Sequence, residues 1–224
     1  MQQLPSGKFY TVPVKAHPVK IGKDIDMILT ERVNYPKMVQ AIAKSFVNDV
    51  QVKSYDALVG AASLLPGGDV FVKTGALSSA QKDKFDELIE NVSAANNSDV
   101  VIVGTKSALK KINNFYANAA SFADSQKEAI ASTGHLGDYE GSMIIEIPQK
   151  FKVGSFEKVY DNTKLYILPL SEDKFIKFVD EGETEIKEDS EKGDTQDDFH
   201  TYEVQRRYGA GVVLGRAFGE WTIE

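Results

Sequence analysis

The chain contains no cysteine, which removes disulfides, thiolate zinc sites and cysteine nucleophiles together and fits a reducing compartment. Histidine is scarce: His17, His135 and His200 are the only imidazoles, and no H-x-x-x-H pair occurs to seat a metal. Positive charge is in deficit, with 26 Lys and Arg against 33 Asp and Glu and a net charge of −7. This argues against a protein that wraps nucleic acid by broad phosphate neutralisation, and leaves room for a local basic patch. Long apolar runs are absent too, none approaching the ~20 residues that span a bilayer. The opening "MQQLPSGKFYTVPV" has no basic segment leading into an apolar core, so the chain reads as soluble, with no export signal and no membrane partner.

What is there is an ordinary globular composition, 42% hydrophobic and 26% charged over 224 residues, enough for one large domain or two small ones. Residues 9 to 14, "FYTVPV", read as a short strand that Pro13 confines to an edge or an end. From Pro36 to Leu65, Met38, Ile42, Phe46 and Val50 recur at helical spacing, and Tyr55, Leu58 and Ala62 resume it. Taken as one helix of roughly 25 residues it is about 40 Å long, with "VQV" at 50–52 as the alternative break. A strand is expected at 69–72, "DVFV". Ser78 and Gln81 are spaced as a capping box for a helix with the stripe Phe85, Leu88, Ile89 and Val92 and a Lys82–Asp86 pair on its wet face.

Farther on, Val100–Val103 reads as a strand, with Thr105 as cap of a helix carrying Ala108, Leu109, Ile112 and Phe115. A helix is expected over Phe122–Ser132, stopping at Gly134. Strands follow at Met143–Ile147, "KLYILPL" (164–170), "KFIKFVD", "ETEIKE" and the C-terminal "DFHTYEVQRRYGAGVVLGRAFGEWTIE". Asp180–Asp198 has no apolar period and reads as an exposed hairpin tip or mobile loop. The pattern is mixed α+β, helices in the middle third and strands toward the end.

The chemical motifs are weak. "DVVIVGTKSALKKI" (99–112) resembles a strand delivering amides to a phosphate, but a dinucleotide fingerprint needs three glycines where only Gly104 stands. A Walker loop needs glycine directly before its lysine and again five residues before that glycine, but Lys106 follows Thr105 and Val100 stands at the other position. "GAGVVLG" (209–215) has relaxed dinucleotide spacing, yet the chain ends nine residues later, so these glycines read as close backbone contacts or bulges in a final strand. His135 lies in "TGHLGDYEG" with Asp138 and Glu140 near, and reads chiefly as a surface histidine in a turn. "DSEKGD" misplaces the oxygens of a calcium loop. Arg206 and Arg207, beside Tyr202 and Tyr208, mix basic and aromatic groups as strand-based nucleic-acid readers do, but on a strand they face opposite ways and suit salt bridges better. No catalytic, cofactor-binding or metal residue is assigned, and no cofactor is called for.

Six stretches in order, "FYTVPVKAHPVKIG", "IAKSFVNDVQVKSYDAL", "DVVIVGTKSALKKI", "GHLGDYEGSMIIEIP", "LYILPLSEDKFIKFVDEG" and "YEVQRRYGAGVVLGRAFG", resemble the major capsid proteins of tailed bacteriophages, with the fold named after phage Hong Kong ninety-seven. The resemblance rests on order and spacing and covers most of the chain. It implies an α+β capsid fold. A peripheral domain at 1–65 and 171–208 would hold a long spine helix and an antiparallel sheet, and an axial domain at 66–170 and 209–224 a mixed sheet flanked by helices. With only roughly 35 residues before the spine helix, the family's N-terminal arm and extended loop read as missing, and no cross-linking pair is assigned.

The implied role is a non-enzymatic icosahedral shell subunit. It would assemble with itself into pentamers and hexamers, work with scaffolding protein, maturation protease and portal, and enclose DNA without sequence-specific contact. It would reside in the virion, and in the host cytoplasm during assembly. The alternatives are an encapsulin-like cellular shell and a small nucleotide-binding protein using Gly104, Thr105 and Lys106.

Overall fold

The computed structural model describes residues 11–24, 35–65, 70–116, 122–152, 155–170, 174, 176–189, 199–212 and 217–224. In chain order these hold β1 (Lys15–Asp24), α1 (Tyr35–Ala62), β2 (Val72–Thr74), a 3-10 turn (Ser79–Gln81), α2 (Lys82–Asn96) and β3 (Val100–Thr105). There follow α3 (Lys106–Leu109), a second 3-10 stretch (Lys110–Phe115), α4 (Asp124–Thr133), β4 (Asp138–Tyr139), β5 (Ser142–Ile147), β6 (Lys164–Pro169), β7 (Ile176–Asp189), β8 (Phe199–Val212) and β9 (Gly219–Thr222). The chain divides into two compact units, Met1–Leu58 with Ile176–Val212, and Val59–Phe175 with Val213–Glu224.

The first unit combines α1 as far as Leu58 with a three-stranded antiparallel sheet in the order β1-β8-β7. Helix α1 runs unbroken for 28 residues, about 42 Å at the usual rise. "VQV" does not interrupt it, and Ser54 Oγ donates back to the Val50 carbonyl at 2.8 Å across that turn. The strand expected at 9–14 lies later: residues 11–14 are irregular, residues 9 and 10 fall outside the described set, and β1 begins at Lys15. It contains Pro18, opposite Gln205. An edge strand accepts a proline because one side of its ladder is unpaired.

The two strands expected at "KFIKFVD" and "ETEIKE" are one strand, β7, whose register against β8 shifts between Glu181 and Glu185. Gly182, at φ 78°, sits in that irregularity, where a left-handed backbone favours glycine. The acidic segment is therefore not loop at its start: Asp180–Asp189 belongs to β7, and 190–198 lies outside the described residues. Gly209 and Gly211 are close-contact positions. A Cβ at Gly209 would overlap the Pro13 carbonyl oxygen, and one at Gly211 would lie 2.9 Å from Val12 Cγ2. Gly215 is outside the described residues.

The second unit is built on a six-stranded mixed sheet in the order β2-β9-β6-β3-β5-β4. β2 runs parallel to β9 and β3 to β5, and the other neighbours are antiparallel. One side is covered by α2 through Phe85, Leu88 and Val92, all fully buried, and by Leu109, Ile112 and Phe115. Phe85 is the hub of this core. Its ring lies 5.1 Å from Phe115, 5.5 Å from Tyr139 and 5.4 Å from Trp221, spacings at which aromatic pairs attract beyond their area alone. Trp221 Nε1 donates to the Gly75 carbonyl at 3.0 Å, so its polar atom is satisfied inside.

Three local expectations need correction. Ser78 makes no side-chain cap and the Ser78–Gln81 stretch closes as a 3-10 turn, so α2 starts at Lys82. Thr105 does not cap α3, which is α-helical for four residues and then tightens to 3-10. The strand expected at 69–72 begins at Val72, and Asp69 lies outside the described residues. Lys82 pairs with Asp86 as expected, at 2.5 Å, and with Glu140 as well. Gly134 ends α4 at φ 89°.

Candidate assembly surfaces

The motif at 99–112 is absorbed by the core. Every residue of β3 is buried, and Gly104 is hydrogen-bonded into the sheet between Glu146 of β5 and Leu165 of β6. A Cβ at Gly104 would lie 2.6 Å from Leu165 Cδ2. Its glycine thus serves strand packing, with its backbone engaged in the ladder. Thr105 Oγ1 is buried without a hydrogen-bond partner, and Lys106 is exposed.

His135 is buried, not the surface histidine expected, because both ring nitrogens find partners inside: Nδ1 lies 2.6 Å from the Leu136 carbonyl oxygen and Nε2 3.2 Å from Glu146 Oε2. The neighbours suggested by sequence are used otherwise: Asp138 is exposed, and Glu140 binds Lys82. Burial opposes the positive charge of Lys82, but hydrogen bonds to Asp86 and Glu140 outweigh it and raise its pKa. His17 joins Asp49 at 2.9 Å, a partner carrying no sequence signal beyond its place on α1. Of His200 only the backbone is described, opposite Lys23. Among the described residues no group of three or more His, Asp or Glu could hold a metal ion, and no helix is long and apolar enough to cross a membrane.

The two arginines separate, as strand alternation requires. Arg206 forks onto Asp180, with Nε 3.2 Å from Oδ1 and Nη2 on Oδ2, and this pairing raises its pKa. Asp180 comes from the acidic segment, so the salt-bridge use holds for Arg206. Arg207 is exposed and lies opposite Glu181 and Ala16. Tyr208 points the other way into the first unit and is fully buried.

Apolar surface left in water is the more telling feature. In the first unit a groove of about 460 Å³ runs between α1 and the sheet, lined by Val39, Phe46 and Val47 on the helix and Phe178, Ile186 and Val204 on the strands. Val39 is 61% and Ile186 71% exposed. Among the described residues both sheets end in strands with one unpaired side, β1 and β7 in one, β2 and β4 in the other. Single exposed apolar residues are commonplace, but a contiguous patch beside long open edges is what an interface requires.

Comparison with known proteins agrees. A family profile described as "SPbeta prophage-derived putative capsid protein YonB" matches residues 1–222. No curated protein matches the chain in sequence. Among solved structures, the mature capsid of bacteriophage PhiM1 is similar at TM-score 0.60 and 10% identity, covering 100% of this chain and 78% of that one. The capsid of Cyanophage P-SCSP1u is similar at TM-score 0.55 and 11% identity, covering 100% and 80%. The holo-SrpI encapsulin complex of Synechococcus elongatus gives TM-score 0.52 and 10% identity, covering 93% and 73%. At these identities the likeness is one of fold: the two-unit α+β architecture of phage capsid subunits.

Proposed function

Because the chain belongs to the family of the SPbeta prophage-derived capsid protein YonB, we propose that it builds the phage head by packing copies into pentamers and hexamers, its first unit serving as the peripheral domain and its second as the axial domain. The chain is a structural subunit of a capsid shell, and its place is the virion. In the proposed assembly α1 is the spine of the peripheral domain, and the six-stranded sheet with its helices turns toward the capsomer axes.

One observation supports this division of labour beyond family membership. The apolar groove and open β7 edge of the first unit leave Val39, Val47 and Ile186 more than half in water, surface a lone subunit gains nothing by exposing and a neighbouring tile covers. The shell encloses DNA without reading its sequence. A net charge of −7 keeps phosphate contacts few, which suits a genome that must be packed and released. Scaffolding protein, maturation protease and portal are its assembly partners, met in the host cytoplasm. An encapsulin-like shell shares the fold, as the SrpI likeness illustrates.

Sedimentation velocity over a range of concentrations tests the proposal. Association from monomer directly to capsomer-sized species supports it. A chain that stays monomeric at every concentration, and is stabilised by nucleotides through mass-action linkage, contradicts it.

A further inference from the structure

Between β5 and β6 the described segments 148–152 and 155–160 pair antiparallel as the two legs of a hairpin, which no element expected from sequence anticipates. Its base is tied by one side chain. Gln149 Oε1 accepts from the Tyr160 amide at 3.0 Å, while its Nε2 donates to the Tyr160 carbonyl at 2.7 Å and to Asn162 Oδ1 at 2.9 Å. Backbone bonds continue outward, Val159 N–H to the Lys150 carbonyl at 2.9 Å and Lys152 N–H to the Glu157 carbonyl at 2.8 Å. On this frame Phe151 and Phe156 meet edge to face at 6.2 Å. They are 60% and 95% exposed.

A bonded hairpin that holds two phenylalanines in water is a preorganised anchor, since little order remains to be lost on docking. Its charge narrows the partner. The hairpin carries Lys150, Lys152 and Lys158 against Glu157 alone, on a chain whose net charge is −7. A matching surface exists on the same unit. β5 alternates so that Met143 and Ile145 stand exposed while Ser142 and Ile144 are buried, and the exposed Asp138 pairs beside Met143.

We propose that these two paired legs, 148–152 and 155–160, form a docking arm whose Phe151–Phe156 pair seats on the Met143–Ile145 strip of a second copy of this chain, with Lys158 turned toward that copy's Asp138. The inference rests on the shell-subunit reading and names one of its contacts. Arm and strip are different patches, so the contact is head-to-tail, the kind that closes rings of identical subunits. Packaged DNA is the weaker candidate, because Lys152 is already engaged by Glu157 at 2.8 Å.

The absence of native cysteine makes a clean test available. Ser155→Cys and Met143→Cys are introduced singly and together, oxidised with oxidised glutathione, and read on non-reducing gels beside electron micrographs of the same samples. The double variant is expected to give a ladder of covalent oligomers and each single variant none beyond dimers. Adding Phe151→Ser and Phe156→Ser should cut the ladder at least tenfold. Particles without a ladder overturn the docking arm and leave the shell reading standing. A ladder with neither particles nor rings of five and six supports the arm and contradicts the shell reading, and the absence of ladder, rings and particles overturns both. Phenylalanine-less chains that form normal particles lacking DNA would assign the hairpin to DNA and overturn the proposal.

Discussion

The Tyr208 hydroxyl donates to Asp49 Oδ2 at 2.6 Å, joining β8 to the middle of α1 across 159 positions of sequence. The same carboxylate oxygen lies 2.9 Å from His17 Nδ1, and the His17 ring stacks on Tyr208 at 4.1 Å and 9°. One aspartate thus ties β1, β8 and α1 together. Asp49→Ala leaves two polar groups without their acceptor and should destabilise the first unit by about 1–3 kcal/mol, whereas Tyr208→Phe, which deletes one donor, should cost about 1 kcal/mol. Hydrogen exchange along α1 is the readout, and unchanged protection in Asp49→Ala would refute the clamp.

Alkaline pH should loosen both units through their buried tyrosines. Burial, then the hydrogen bond to Asp86, pushes the Tyr139 hydroxyl far above its ordinary value, and burial, then Asp49, does the same for Tyr208. The folded chain therefore holds these protons more tightly than the unfolded chain. Their contribution is present in full below about pH 10 and is lost as pH rises beyond it. Tyrosinate absorbance should lag for these residues until unfolding begins; ionisation near pH 10 in a chain still folded would contradict the assignment.

Gly104→Ala separates packing from phosphate binding. The added methyl meets Leu165, which is fully buried and has no room to yield, so stability should fall by about 1–3 kcal/mol. Nucleotides should leave the melting temperature of the parent chain unchanged. A tolerated alanine together with nucleotide stabilisation of the parent would revive a phosphate loop.

Gly209→Ala is expected to be worse, because the obstacle is backbone, the Pro13 carbonyl. Segment 11–14 should then leave β8, seen as faster proteolysis ahead of Lys15. Intact resistance to protease would show that the contact does not hold the segment.

Periodic elements were legible in sequence and local chemistry was not. The α1 stripe and the Phe85–Leu88–Val92 stripe repeat with burial behind them, and a long repeat survives small errors of placement. Ser78 and Thr105 looked like caps because their residue types suit that role, but the chain tightens to 3-10 near each, and the buried Thr105 hydroxyl shows how packing overrides a propensity worth about 1 kcal/mol. β7 looked like two strands because Gly182 punctuates it, when the glycine serves a bend inside one ladder. The Asp49–Tyr208–His17 clamp left no local trace, its members lying far apart in sequence. The paired legs 148–152 and 155–160 stayed hidden because each is too short to show alternation.

Electron microscopy of the high-mass fraction from a sizing column tests most directly whether this chain is a shell tile. Closed, uniform icosahedral particles, or rings of five and six subunits, are the expected result. A fraction holding only monomers and amorphous aggregate, at concentrations where the chain is fully folded, would contradict it.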